Sequence, residues 1–329
     1  MDTDGTSLRV LTRRDVEAID ITLTDVLDSV AQAIRPLADG TSSNPAKLSV
    51  SSPDDSSVSY AMLGRDGARQ VVAVRASYRH DPHHDRAELR HYTTLTLYDD
   101  AAGLPLALMD CGRIGSLRTP AVSALLAREC AAPKARTALL IGTGTTARMA
   151  LPLLVTALPD LDRLLLFGTH PAGISAVREE LAAHFPDREA EVVGDLRAAA
   201  GEADVLIGTA GPATPAAVEA AWLRPGALSV LVGYGLAPST LHRADRVIAT
   251  SAEQMARTGG DLADSRGVLR PVDAELADVL SGRTAGRVRP DERVFAYNSG
   301  LVVADIALGH RFALLARAQD LGTEIPLWS

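Results

Sequence analysis

TALLIGTGTTA, residues 137–147, is the stretch on which the fold turns. An apolar run of strand type (137–142) passes without interruption into Gly142-Thr143-Gly144-Thr145-Thr146-Ala147, a GxGxxA sequence, and then into a helical stretch at 146–158. In such a turn the first glycine permits the tight bend. The second lets backbone N–H groups approach a pyrophosphate, and the small third residue allows close helix–strand packing. Phosphate charge then faces the positive end of the helix. Glycine-rich turns also serve as plain connectors, so the flanking pattern decides.

Downstream, RLLLF (163–167), AEVVG (190–194), DVLIGTA (204–210), LSVLVG (228–233) and RVIAT (246–250) have the apolar continuity of buried parallel strands. Helical stretches at 174–185, 196–202 and 215–222 alternate with them. This alternation predicts an α/β fold with a Rossmann-type doubly wound parallel sheet over residues 126–300. The second strand ends in Phe167-Gly168-Thr169-His170, where an NAD-specific domain usually places an acid. With no carboxylate to repel a 2′-phosphate, and with Thr169 and His170 as donors, the sequence favours NADP(H) over NAD(H).

Upstream the pattern differs. A helix near 22–37 precedes polar turns (TSSNPAK, 41–47, and SSPDDSS, 51–57), strands around 70–78 and 93–99, and a hairpin-like DDAAG before LPLALM. Residues 1–125 therefore read as a smaller α/β lobe for substrate binding and dimerisation. The stretch 116–130 reads as a connecting helix. A long Ala/Leu-rich helix at 300–318 returns to the first lobe, so 301–329 completes it.

Length and composition set limits. The 329 residues suffice for two cores, and 47% hydrophobic with 22% charged residues is ordinary for a globular chain. A net charge of -8 offers no broad basic surface for nucleic acid. No apolar run approaches the roughly 18 residues of a membrane span, and MDTDGTSLRV lacks the regions of a signal peptide. A cytoplasmic protein without membrane or nucleic-acid partners is expected. Cys111 and Cys130 are too few for a disulfide framework and read as reduced structural thiols. Of 33 basic residues only Lys47 and Lys134 are lysines.

Three further segments sharpen the reading: MDCGRIGSLRTPAVSALLARECAAPKARTALLIGTG (109–144), ADVLIGTAGPATP (203–215), and AELADVLSGRTAGRV followed by RVFAYNSGLVVAD (274–288 and 293–305). Together they resemble the ornithine cyclodeaminase/μ-crystallin family, in which an LRT-(A/P)-A-x-S-A helix leads into the dinucleotide loop. The resemblance implies a homodimer, a Rossmann domain holding NAD(H) or NADP(H), and hydride transfer at an amino- or imino-acid carbon. It assigns Thr119, Thr209, Ala210, Val232, Gly233, Ser299 and Gly300 to the cofactor, beside the loop itself. It assigns Lys47, Arg75 and Arg118 to the carboxylate of a small substrate. The first two exchange the family's usual arginine and lysine, which keeps charge but changes geometry, since a guanidinium forks onto a carboxylate and an ammonium binds as a point charge.

One departure bears on the reaction. Where cyclodeaminases carry a G-G-D turn whose aspartate handles the amine, this chain has Gly233-Tyr234-Gly235. The expected activity is therefore that of an NAD(P)H-dependent oxidoreductase on a C–N bond. A cyclodeaminase with another base, and a nicotinamide-dependent binding protein without turnover, stand as alternatives. Tyr234 is a candidate proton donor. The stretch RHDPHHDRAELRHY (79–92) holds His80, His83, His84 and His91. It suggests a metal site by density, but the resemblance implies none, and no metal is expected. His80, with His91 as the other choice, is the second candidate acid.

Overall fold

The computed structural model describes residues 7–81, 89–215 and 217–328. Contacts divide the chain into two units, 1–118 with 301–329, and 119–300. The division falls at Arg118/Thr119, inside a helix, and not at 125/126.

The first unit opens with β1 (Ser7–Leu11) and two short-range-capped helices, α1 (Arg13–Ala18) and α2 (Leu23–Ile34). Thr12 caps α1 in a reciprocal capping box with Asp15, and the Thr22 hydroxyl accepts the Asp25 N–H at 3.0 Å to start α2. Such caps satisfy N–H groups that a helix cannot pair internally. β2 (Leu48–Ser51), β3 (Ser57–Asp66), β4 (Val71–His80), β5 (Arg90–Asp99) and β6 (Leu104–Asp110) follow, and then α3 (Gly112–Cys130) begins.

In the second unit β7 (Thr137–Ile141), α4 (Thr145–Arg148), α5 (Ala150–Ala157), β8 (Arg163–Phe167), α6 (Pro171–His184), β9 (Ala190–Val192), α7 (Leu196–Glu202) and β10 (Val205–Gly208) come first. β11 (Leu228–Leu231), α8 (Pro238–His242), β12 (Arg246–Ala249), α9 (Ala252–Thr258), β13 (Ala274–Glu275), α10 (Leu276–Leu280) and β14 (Val294–Tyr297) complete it. The chain then returns to the first unit with α11 (Val302–Ala318) and β15 (Thr323–Pro326).

The second unit's eight strands are all parallel, in the order β13-β12-β14-β11-β10-β7-β8-β9. Winding reverses between β7 and β10, where an open α/β sheet forms its ligand crevice at the carboxyl ends of the strands. The middle strands β14, β11 and β10 are buried throughout and apolar apart from Ser229 in β11, because both faces are covered. The first unit's sheet runs β15-β1-β6-β5-β4-β3-β2, antiparallel except for β1 beside β6. Its inward residues, among them Met62, Ala73, Leu95 and Leu97, are buried where α11 packs on β3, β4 and β5, and α11 also packs on α2.

Two expectations need correction. Of the helix predicted at 215–222, the described residues 217–222 form none: 217–219 are non-helical chain that ends in a single 3-10 turn, Ala220–Trp222. Its Ala-rich sequence has helical propensity, but Val218 bridges Leu236, with its N–H donated to the Gly235 carbonyl. Tertiary pairing outweighs propensity there. The polar stretch before residue 70 also contains a ten-residue strand, β3, whose alternating small and apolar residues carry little hydrophobic signal.

Candidate active site

The residues assigned to the cofactor by sequence come together at the carboxyl edge of the parallel sheet. Gly142 follows β7 with φ +106°, and a Cβ there would stand 2.6 Å from the Ala210 nitrogen. Only glycine allows that turn beside the end of β10. Gly144 has open space where a Cβ would point, and the first N–H groups of α4 follow it. Thr143, by contrast, packs between Gly168 and Gly173, so its side chain ties the loop to the end of β8.

The neighbouring strand ends are fixed to one another. Thr209 donates both its N–H and its hydroxyl to the Ile141 carbonyl, at 2.8 and 3.0 Å. Tyr234 exchanges two backbone hydrogen bonds with Ala210. Val232 and Gly233 both donate to the Gly208 carbonyl. At the end of β14, Ser299 donates its N–H to the Thr250 hydroxyl, and the two hydroxyls lie 2.7 Å apart. Gly300, at φ +72°, donates to the Asn298 side chain, whose amide reaches the Thr119 carbonyl and the Ser123 hydroxyl at 2.9 Å each. Asn298 is buried and was not singled out by sequence; a lone amide within an apolar strand end is the signal it gives. The open turn, the N–H groups that begin α4 without a side-chain cap, and the anchored strand ends fit a dinucleotide.

At the end of β8, Thr169 and His170 are exposed. His170 caps α6, its Nδ1 accepting the Gly173 N–H at 3.3 Å, which leaves Nε2 as the protonated nitrogen.

The turn after β11 has no room for an acid. Gly235 sits at φ +111°, and a Cβ would stand 2.8 Å from Ile141 Cγ2. Tyr234 projects from the same turn, and its phenol donates to Asp261 Oδ2 at 3.0 Å. That hydrogen bond, with a smaller contribution from burial, raises the phenol above its ordinary pKa, so it holds its proton. Asp261 was not singled out by sequence, since it lies 26 residues beyond Gly235 in another turn.

The substrate candidates belong to the first unit, and they share one face of its sheet. Strand alternation puts Arg75, Ser77, Thr93 and His91 on the α11 side, as the β4/β5 register shows. Arg118 Nε donates to Asp305 Oδ1 at 3.1 Å, and Arg75 Nε stands 3.6 Å from the same oxygen. Asp305, on α11, is 0% exposed, and its Oδ2 has no hydrogen-bond partner among the described residues. Cys111 Sγ lies 3.8 Å from Oδ1, and burial pushes that thiol up to about 12. The Lys47 ammonium stands 4.9 Å from the centre of the Tyr60 ring. Burial, then the like charges of Arg118 and Arg75, lower its pKa. Two guanidinium groups thus meet one buried carboxylate, and the Lys47 ammonium lies close enough to both to feel their charge.

His80 is not on this face. It alternates to the opposite side of β4, where its ring stacks with Tyr78 at 6.4 Å. His91 is on the Arg75 side, with Nε2 3.0 Å from the Ser77 hydroxyl, and burial with Arg75 and Arg79 lowers its pKa. His83 and His84 lie outside the described residues. Cys130 is a buried free thiol, also pushed up to about 12 by burial. No helix among the described residues is long and apolar enough to cross a membrane.

Comparison with known proteins gives the family and the fold. The model of the ornithine cyclodeaminase/mu-crystallin family matches residues 7–311. A delta(1)-pyrroline-2-carboxylate reductase of Bacillus cereus is 30% identical over 240 residues, 70% of this chain and 72% of that protein. The solved delta(1)-pyrroline-2-carboxylate reductase of Thermococcus litoralis, in complex with NADH and L-proline, superposes with a TM-score of 0.82 at 22% identity, covering 97% of this chain and 100% of that one. An archaeal alanine dehydrogenase dimer with bound NAD does so equally, with TM-score 0.82, 22% identity and coverage of 97% and 99%.

Proposed function

The chain belongs to the ornithine cyclodeaminase/mu-crystallin family, and from that premise we propose that it is an NAD(P)H-dependent oxidoreductase acting on a C–N bond of a small amino or imino acid. What supports this function is the grouping of three cations, Lys47, Arg75 and Arg118, close enough to act on one another, of which only the two arginines meet a buried carboxylate. Three positive charges against one negative leave the set short of anions, and a substrate carboxylate supplies one. Asp305 holds Arg118 by Nε, so the terminal Nη pair is not consumed by that bond and can fork onto the substrate.

Bound nicotinamide supplies or accepts the hydride. The chain's own part is to fix the substrate's carboxylate and to hold positive charge beside the carbon under attack. Gly235 leaves no side chain to activate water at the β11 turn, which favours hydride transfer over hydrolytic deamination. The test is nicotinamide absorbance with purified protein and a panel of cyclic imine carboxylates and keto-acid/amine pairs. Unchanged absorbance with every pair would sink the proposal.

NADP(H) is the preferred cofactor in this account, because Thr169 and His170 offer donors and no carboxylate at the end of β8. His170→Ala should weaken NADPH binding about tenfold, the order of one hydrogen bond to a charged group, and leave NADH nearly unchanged. Equal losses for both would remove His170 from 2′-phosphate recognition.

The active form is a homodimer through the other face of the first unit's sheet. Leu48, Val50, Leu63, Val74, Tyr78 and Tyr92 lie side by side there, 40 to 73% exposed. An apolar patch of this kind marks an interface, and the alanine dehydrogenase neighbour is a dimer. Sedimentation of the chain and of Val50→Asp at equal concentration checks this; a monomeric unmutated chain contradicts it. With both thiols free and buried, we assign the protein to the reducing cytoplasm, which cell fractionation would test.

One observation favours a second reading. Asp261 brings a carboxylate to the phenol of Tyr234, and a cyclodeaminase could use it in place of the missing aspartate. Ammonia release from ornithine with no net change in NAD would select that reading.

A further inference from the structure

The three cations are not equivalent. Arg75 and Arg118 share Asp305, whereas Lys47 has no carboxylate within ion-pair distance among the described residues and is held over the face of Tyr60. Such a contact places a cation without neutralising it. The groups facing Lys47 are the Tyr60 ring on β3 and two further cations, Arg75 on β4 and Arg118 on α3. Asp305 is engaged by the arginines. His91, on β5, is engaged by Ser77. Chemistry separates the set further, since a guanidinium keeps its proton at any pH a protein survives, while an amine can release one.

Resting on the function proposed above, we infer that Lys47 is the proton carrier of the reaction, giving its proton to the substrate nitrogen in reduction and taking it back in oxidation, while Arg75 and Arg118 hold the carboxylate. In reduction a Lys47 N–H bond breaks as the imine nitrogen's lone pair forms a new N–H bond. The iminium carbon then receives the hydride from reduced nicotinamide, and the C=N π electrons return to nitrogen. The products are the amine, a neutral Lys47 and oxidised nicotinamide, and solvent restores the lysine proton. The lysine–arginine exchange at 47 and 75 acquires a reason: an arginine at 47 could bind a carboxylate but could not turn over a proton. Burial and like charge, which lower the Lys47 pKa, bring it nearer the working pH of an acid–base group.

The sign of the pH dependence follows. Reduction needs protonated Lys47 and falls as pH rises through its lowered pKa; oxidation needs the neutral amine and rises through the same value.

The experiment uses the full chain, with Lys47→Arg and Lys47→Gln, in both directions across pH. Binding of furan-2-carboxylate reads the clamp separately. Lys47→Arg should bind furan-2-carboxylate within about threefold of the unmutated chain, lose kcat by about 10²- to 10⁴-fold, and lose the high-pH limb. Lys47→Gln should likewise lose kcat and the high-pH limb while still binding furan-2-carboxylate through the two arginines, with affinity reduced only by the missing charge. If Lys47→Arg keeps kcat and the same limb, the inference is overturned. A second readout needs no variant: trace acetylation across pH, read peptide by peptide, follows Lys47 separately from Lys134, the only other lysine. A Lys47 midpoint below the ordinary value of about 10.4 is expected, and an ordinary midpoint contradicts the proposal. An unmutated chain that turns over no imine carboxylate overturns the function itself, whereas an active chain with an active Lys47→Arg overturns this inference alone.

Discussion

At the carboxyl edge of the eight-stranded sheet, the groups assigned to the cofactor are backbone amides, glycines and hydroxyls already bonded to neighbouring strands. On the Arg75 face of the seven-stranded sheet, the groups assigned to the substrate are long charged side chains, two of them on one acid. The first surface is made by the path of the backbone and has little charge of its own. The second depends on a few side chains and carries more positive charge than it neutralises. Backbone sites fail when a residue gains atoms; side-chain sites fail when one loses a partner.

The largest effect should come from breaking the charged cluster. Arg118→Met removes the nearer partner of a fully buried carboxylate and should cost about 3–5 kcal/mol of stability, read by denaturant unfolding. Adding Asp305→Asn should restore more than half of it, because the unpaired charge is then gone. A double variant as unstable as the single one would show that Asp305 does not need its charge compensated.

Next comes the backbone site. Gly142→Ala places a methyl group against Ala210 at a positive φ and should cost about 2 kcal/mol with a marked loss of NADPH affinity, measured by fluorescence titration. Gly235→Asp asks whether the missing aspartate can simply be restored. It should destabilise by about 1–3 kcal/mol and release no ammonia from ornithine, since the carboxylate enters where Ile141 already stands. Ammonia release would mean that the turn accepts the acid after all.

The smallest effect is expected at Tyr234. Its phenol is 37% exposed and donates to Asp261, so Tyr234→Phe should change stability by about 0.5 kcal/mol or less and leave kcat and its pH profile unchanged. A lost pH limb would give the phenol a role in proton transfer.

The same contrast explains what could be read from sequence. The parallel sheet announced itself because each of its middle strands is a short, almost wholly apolar run, and the GxGxxA turn marks where the winding reverses. β14 escaped notice because VFAY comes last in the sheet by sequence yet inserts between β11 and β12, an adjacency no local pattern encodes. The 215–222 stretch misled because alanines predict a helix wherever no partner strand competes. In the first unit, Lys47, Arg75 and Arg118 were found through resemblance, and their proximity only through the strand register of Arg75, the Asp305 contact of Arg118 and the Tyr60 contact of Lys47. Asp305 could have been suspected from its own segment: LVVADIAL is apolar except for that acid, and a lone carboxylate in a buried helix face requires a cation. His80 and His91 looked alike in sequence; the pleat of β4 and β5 separates them.

The most direct test follows the hydrogen itself. NADPH deuterated at the transferable position of its nicotinamide is mixed with the purified chain and each of the panel of cyclic imine carboxylates and keto-acid/amine pairs, and the products are analysed by mass spectrometry. The account predicts one deuterium on the carbon beside the carboxylate, with one equivalent of NADP formed per product. Product without deuterium, or no product at all, would contradict it.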